Sequence, residues 1–246
     1  MGQDNPDLGA QALNKVAELS ITSQLDEVEQ ISVNIQTNPG KLLQGEVDAV
    51  AISGRGLIVK QDLRMETLEV STDKVAISPL SALFGNLELT QPTAAQAQIV
   101  LTEADINRAF NSNYIQDKLQ GFEINIAGCL TVVDVQQVTI RLPGDNKFAI
   151  NANFVLRDQG ETKSLSAVAI PQIKADGHQL SLEILSAEGQ GLTTELIMTI
   201  FNELTALLDL RNFNIPGISL QLQQLDAQLG RLMITAQTQI DHIPST

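Results

Sequence analysis

The sequence predicts an α+β protein in which a long, strongly curved antiparallel β-sheet of hairpins wraps around amphipathic helices. Three observations predict it. Long parts of the chain alternate apolar and polar residues at a period of two, as half-buried strands do. Turn-forming clusters such as TNPG, PGDN, RDQGET and ADGH recur between those runs. Three stretches, about 6–24, 102–119 and 193–210, carry the helical period instead. One domain is expected to span residues 1–246.

Taken in order, the first helix can be capped by Asn5, with Pro6 and Asp7 suited to its first turn. Leu8, Ala12, Val16 and Leu19 then form its apolar series, which ends near Gln24. ISVNIQ follows as a strand, placing Ile31, Val33 and Ile35 on one face, and TNPG ends it. From Lys41 to Pro79 the pattern is strand-like almost throughout, with Gly54 and Gly56 inside an apolar run. Glycines there mark a bulge or sharp bend, and so a strongly curved sheet.

A short turn or helical piece is expected at Ser81 to Phe84, followed by two strands. In LTEADINRAFNSNYIQDKLQ, Thr102 and Asp105 form a capping box, and Ile106, Ala109 and Phe110 mark an apolar face. FEINIAG, LTVVDVQQVTIRL, FAINANFVL, LSAVAIPQI and LSLEILS read as five strands between Phe122 and Ala187. The third helix presents Leu196, Ile197, Ile200, Phe201, Leu204, Leu207 and Leu208 on a face wide enough to be buried on most of its circumference. ISLQLQQLDAQLGRLMITAQTQI closes the chain as a hairpin, with Ile218, Leu220, Leu222, Leu232 and Ile234 turned inward and Ser219, Gln221, Gln223 and Thr235 outward. LEVSTDKVAI, IKADGHQLSL and LDAQLGRLMI share one ten-residue scheme of two-sided hairpins.

Of the 246 residues 43% are hydrophobic but only 3% aromatic, so Leu, Ile, Val and Ala must fill nearly all buried volume and give it smooth aliphatic walls. A formal charge of -14, with 15 scattered Lys and Arg, argues against partners that bind through phosphate charge, and no nucleic-acid partner is expected. Cys129 is the one cysteine; it excludes an intrachain disulfide, lacks a basic neighbour, and reads as a small buried hydrophobe. MGQDNPDLG has neither a basic nor an apolar leader region, and Pro6 stands where a myristoylation signal wants Ser or Thr. No apolar run approaches the roughly 18 to 20 residues a membrane helix needs. A soluble chain, cytoplasmic or peripheral to a membrane, is expected.

Catalytic patterns are sparse. His178 sits in a turn and His242 near the end, and G-x-S-x-G, H-E-x-x-H and the P-loop pattern are absent. GRGLIV and EGQGLTTEL lack the third glycine of a dinucleotide loop. Asp176 and His178 supply two metal-type ligands from one turn with no cluster to complete a shell, and the cap explains Glu103 and Asp105. No enzyme activity, metal or cofactor is therefore assigned. What remains is an apolar surplus. Three aliphatic helix faces and a bent sheet either pack solidly or leave a tunnel, which suits acyl chains at about 0.8 kcal/mol per buried CH₂.

NPGKLLQGEVDAVAISGRGL, then LEVSTDKVAISPLSALFGNLELTQPTAAQAQIVLTEADINRAF, then NFNIPGISLQLQQLDAQLGRLMITAQ resemble, in order, the bacterial LmeA-like phospholipid-binding family. The block from Pro79 to Phe110 is the most specific part. The resemblance implies a fold similar to the tubular lipid-binding (TULIP) proteins, with a long helix cradled by a curved antiparallel sheet and acyl chains between them. It implies no catalytic residues. The expectation is a non-enzymatic protein holding phospholipid or a similar acyl-chain amphiphile, for transfer, sensing or membrane maintenance, with peripheral membrane contact. Its groove is expected to be lined by Leu196, Ile197, Ile200, Phe201 and Leu204, with Val16 and Leu19 opposite. The alternative is a scaffold or protein-interaction module with a filled core.

Overall fold

A computed structural model of the chain describes residues 8–59, 63–83, 88–126, 129–157, 160–207 and 217–242. The chain opens with α1 (Leu8–Thr22), β1 (Glu27–Gln36), α2 (Pro39–Leu43), β2 (Glu46–Val47), β3 (Ala49–Val59), β4 (Leu63–Thr72) and β5 (Val75–Ala76). It continues through α3 (Pro79–Leu83), β6 (Thr93–Thr102), α4 (Glu103–Phe110), α5 (Asn113–Lys118), β7 (Phe122–Ile126) and β8 (Cys129–Gly144). It ends with β9 (Lys147–Leu156), β10 (Glu161–Ile173), β11 (Leu180–Gly189), α6 (Thr194–Leu207), β12 (Ile218–Gln228) and β13 (Arg231–Ile240).

The fold is α+β and mostly antiparallel sheet, part of it strongly curled into a half-barrel. The strands divide into a six-stranded sheet, β1-β3-β4-β6-β13-β12, a five-stranded sheet, β11-β10-β9-β8-β7, and the small pair β2-β5. Curvature has local causes. Register shifts leave extra residues in β8, β11 and β12, each adding a bend to its strand. Gly56 lies inside β3 at φ +59°, and a Cβ there would collide with the Glu29 side chain from β1.

Three sequence expectations change. The helix expected over 102–119 is two helices, because Asn111 ends α4 and the Ser112 hydroxyl accepts from Ile115 N to start α5. LEVSTDKVAI is no hairpin: β4 pairs with β3 and β6, whereas β5 pairs with β2. The strand-like run from Lys41 begins in a helix, since Asn38 accepts from Lys41 N at 3.0 Å and Pro39 stands at its first turn. The first and third expected helices are α1 and α6. Phe84 and Leu208 lie outside the described residues, as do the side chains of Cys129, Leu204 and Leu207.

Apolar alternation creates two cores. The larger joins α4 and α6 to the inner face of the five-stranded sheet, with Ala227 and Leu232 of the last hairpin closing it. The smaller packs Ala17 of α1 on Val33 and Ile35 of β1, with Val47, Val75 and Ile77. In the closing hairpin Leu222 pairs with Ala236 and Leu225 with Ile234, across one extra residue in β12.

Two helices, α1 and α4, supply side-chain partners to open strand backbone. Asn14 Oδ1 accepts from Ile35 N at 2.9 Å and Glu18 Oε1 from Val33 N at 3.3 Å, on the open side of β1. On β8, Asn107 Oδ1 accepts from Ile140 N at 2.7 Å, Glu103 Oε1 from Leu142 N at 2.6 Å, and Asn107 Nδ2 donates to Ile140 O at 2.8 Å. The match is geometric: four helical residues rise about 6.0 Å, and two strand residues about 6.6 Å. The open edge of β12 is held by turn tips of the other sheet. Leu222 N donates to Gly177 O at 2.8 Å, and Asn146 exchanges two bonds with the Ala227 backbone, each 3.0 Å long.

Candidate functional site

A groove of about 420 Å³ runs between α6 and β11, the last strand of its sheet. Helical spacing assembles one wall, because Met198, Phe201, Asn202 and Thr205 recur at i, i+3, i+4 and i+7 and so share a stripe of α6. Leu182 and Ile184 of β11 form the facing wall, and Ser181, Gln179 and Lys174 continue it around the β10–β11 turn. The floor is apolar: Phe201 is buried in the larger core, and Leu182 and Ile184 pack against that core from its margin.

The polar rim is specific in its bonding. Lys174 Nζ donates to Gln179 Oε1 at 3.2 Å, across a turn closed by Gly177 N on Lys174 O at 2.8 Å. The Thr205 hydroxyl donates to Phe201 O at 2.6 Å, one helical turn back. His178, in the same turn as Lys174, has its Nδ1 3.0 Å from Leu220 O and ties the turn to β12. Asp176 Oδ1 accepts from His178 N at 3.1 Å, so the Asp176–His178 pair is engaged in the hairpin and its docking. Among the described residues no group of three or more His, Cys, Asp or Glu side chains is placed to hold a metal ion.

Of the residues expected to line a groove, Leu196, Ile197, Ile200 and Phe201 come together in the larger core, and of these Phe201 alone also lines the groove. Ile200 is 1% exposed. Val16 and Leu19 lie on α1, which packs on the smaller core; Val16 is half-buried and Leu19 is 61% exposed. Sequence reasoning missed Met198, Asn202 and Thr205, which flank the apolar stripe of α6, and all the β11 and turn residues. The available signal was the mixed Met, Asn and Thr border of a helix face that is otherwise Leu, Ile and Phe.

The chain is thus an α+β protein with a curled antiparallel sheet and an apolar-floored groove beside one helix. The particular assignment follows from comparison with known proteins: the LmeA-like phospholipid-binding family matches residues 6–237, and the chain belongs to that family. No curated protein matches the chain. The family is described by phospholipid binding, not by a reaction, and membership supports a lipid-binding role. Among the described residues no helix is long and apolar enough to cross a membrane.

Proposed function

We propose that the protein is a non-catalytic phospholipid binder that holds the acyl portion of its ligand in the groove between α6 and β11. The observation that carries this is the apolar floor of Leu182, Ile184, Met198 and Phe201 under a polar rim, in a member of a phospholipid-binding family. At about 420 Å³ the groove falls within the range of about 300–1,000 Å³ usual for small-molecule sites. Leu196, Ile197 and Ile200 support it from behind by fixing α6 to the sheet. The test is native mass spectrometry of protein purified from its own cell, followed by lipid extraction. A stoichiometric phospholipid is expected; protein that is lipid-free in every preparation sinks the reading.

Membrane contact is assigned to the end of the six-stranded sheet that carries α2 and α3. Leu43 and Leu80 are 78% and 70% exposed there, on neighbouring short helices joined where Ile77 N donates to Gly45 O at 2.8 Å. The register puts Lys174 at that same end, because its turn bonds Leu220 and Leu222, in the rows of β12 that align with the start of β3. Transfer between membranes, rather than storage, is the use this arrangement favours.

A second reading rests on the opposite face of that sheet. Asn34, Ala51, Ser71, Gln96, Gln237 and Gln221 are successive cross-strand partners, all exposed and all uncharged. Such a row in a chain of charge -14 suits a protein partner, as the scaffold alternative requires. A partner recovered with lipid-free protein, and lost on Gln96→Arg, favours this reading over the first.

A further inference from the structure

We infer that the Lys174 end of the groove is a seat for an anionic head group, and that the groove holds one acyl chain rather than two. The inference rests on the reading of this groove as lipid-binding and names the ligand chemistry that it selects.

Charge is the first support. The chain carries 29 acidic and 15 basic residues, yet the described lining of the groove contains one cation, Lys174, and no carboxylate. Among the described residues beside the Lys174 turn, Asp176 accepts from the backbone of its own turn, and Glu183 accepts from Gln172 Nε2 across the strand pair. Lys174 Nζ is held by a neutral amide oxygen, Gln179 Oε1, at 3.2 Å. A Lys ammonium has three donors, so it can keep that bond and still meet a phosphate or carboxylate. The turn that carries it is fixed at both ends, by Lys174 N on Gln179 O at 2.9 Å and by Leu222 N on Gly177 O at 2.8 Å. The ammonium therefore stands on a rigid hairpin end and not on a loose loop.

Size is the second support. A space of about 420 Å³ equals roughly fourteen water volumes at about 30 Å³ each. A methylene is close to a water molecule in volume, so one chain of about a dozen carbons fills it. The stripe from Met198 to Thr205 rises about 10 Å along α6, a length that matches part of one extended chain. A diacyl lipid would keep its other chain outside the groove.

Calorimetric titration below the aggregation concentration tests both parts, using dodecyl phosphate, dodecanoate and monolauroylglycerol as probes of one chain length. Wild-type protein is expected to bind the two anionic probes more tightly than the uncharged one, at a stoichiometry of one chain. Lys174→Gln should weaken the anionic probes by about fivefold, the scale of one exposed charge pair, and leave monolauroylglycerol unchanged. Lys174→Arg should restore the preference, and unfolding temperatures should stay together because the side chain is exposed. Comparing phosphate with carboxylate decides between a lysophospholipid and a fatty acid as the preferred source. Equal binding of charged and uncharged probes, or indifference to Lys174→Gln, overturns the head-group seat while leaving a lipid groove in place. Two chains bound per protein overturns the single-chain assignment, and failure of all three probes removes the groove reading itself.

Discussion

Asp105 is the centre of a bonding set that joins α4 to the six-stranded sheet. Its backbone N donates to the Thr102 hydroxyl at 3.1 Å, and its Oδ2 accepts from Thr102 N at 2.8 Å, completing the capping box that starts α4. Its Oδ1 accepts from Arg64 Nη1 at 2.7 Å, and Arg64 also reaches Glu66 and Glu29, so one guanidinium ties α4, β4 and β1 together. Burial pushes the Asp105 carboxyl up, but the Thr102 and Arg64 bonds outweigh it and hold it below the ordinary carboxylate value. Asp105→Asn is expected to cost about 2 kcal/mol near neutral pH through loss of charge-assisted bonds. A depressed folded pKa contributes stability that is fully present above the unfolded value of about 4 and is lost as pH falls through the folded one. Urea unfolding at pH 7 and pH 3 should therefore show the gap between wild type and variant narrowing in acid. A gap of constant size would remove this partner set as its cause. The Thr102 to Asp105 spacing was readable in the sequence because the cap is local; Arg64 was not, because it lies 41 positions away.

Among the elements, α4 and α1 act as substitutes for missing strands. Asn107→Ala leaves the N–H and C=O of Ile140 without their side-chain partner at a part-buried edge and is expected to cost about 1–3 kcal/mol. Hydrogen exchange should show the loss locally, at Ile140, with Leu142 still held by Glu103. On α6 two neighbouring substitutions separate core from groove. Ile200→Trp overpacks a fully buried site and should cost about 1–3 kcal/mol in chemical unfolding. Met198→Trp fills the groove from an exposed position, so it should lower lipid occupancy with the stability within about 0.5 kcal/mol. The reverse pattern would exchange the two roles. The existence of α1, α4 and α6 was legible from periodicity. Asn14, Glu18 and Asn107 were not legible as edge partners, because a polar residue on a helix has the same pattern whether it meets water or a strand.

Across the whole molecule, the two sheets meet through turn tips. The Asp145–Asn146 turn, with φ of 54° and 55°, and the Asp176–His178 turn both lie against β12. This docking sets the Lys174 turn at the end of the six-stranded sheet where Leu43 and Leu80 are exposed. If that end meets the membrane, Leu43→Glu with Leu80→Glu should reduce partitioning onto phosphatidylcholine vesicles by about tenfold or more, given the burial of two leucines. Lipid affinity in solution and the unfolding temperature should not change. Unchanged flotation of the double variant would place the membrane contact elsewhere. The groove itself was only half legible: Phe201 stood out on its helix, but Leu182, Ile184 and Lys174 are ordinary hairpin residues until β11 becomes a sheet edge beside α6.

By itself the sequence determined the fold class, the antiparallel pairing habit, the capping box that starts α4 and the aliphatic character of the core. Each of these depends on periodicity, caps and turns within a few residues of one another, where local sterics and burial leave few choices. The order of strands within the sheets, the division into six and five, and the sides on which α1 and α6 pack were decided by tertiary structure. So was the separation of Ile200 from Phe201, one turned into protein and the other also facing a groove. The physical reason is that an aliphatic side chain carries one preference, to leave water, and the surface that covers it is supplied by distant parts of the chain.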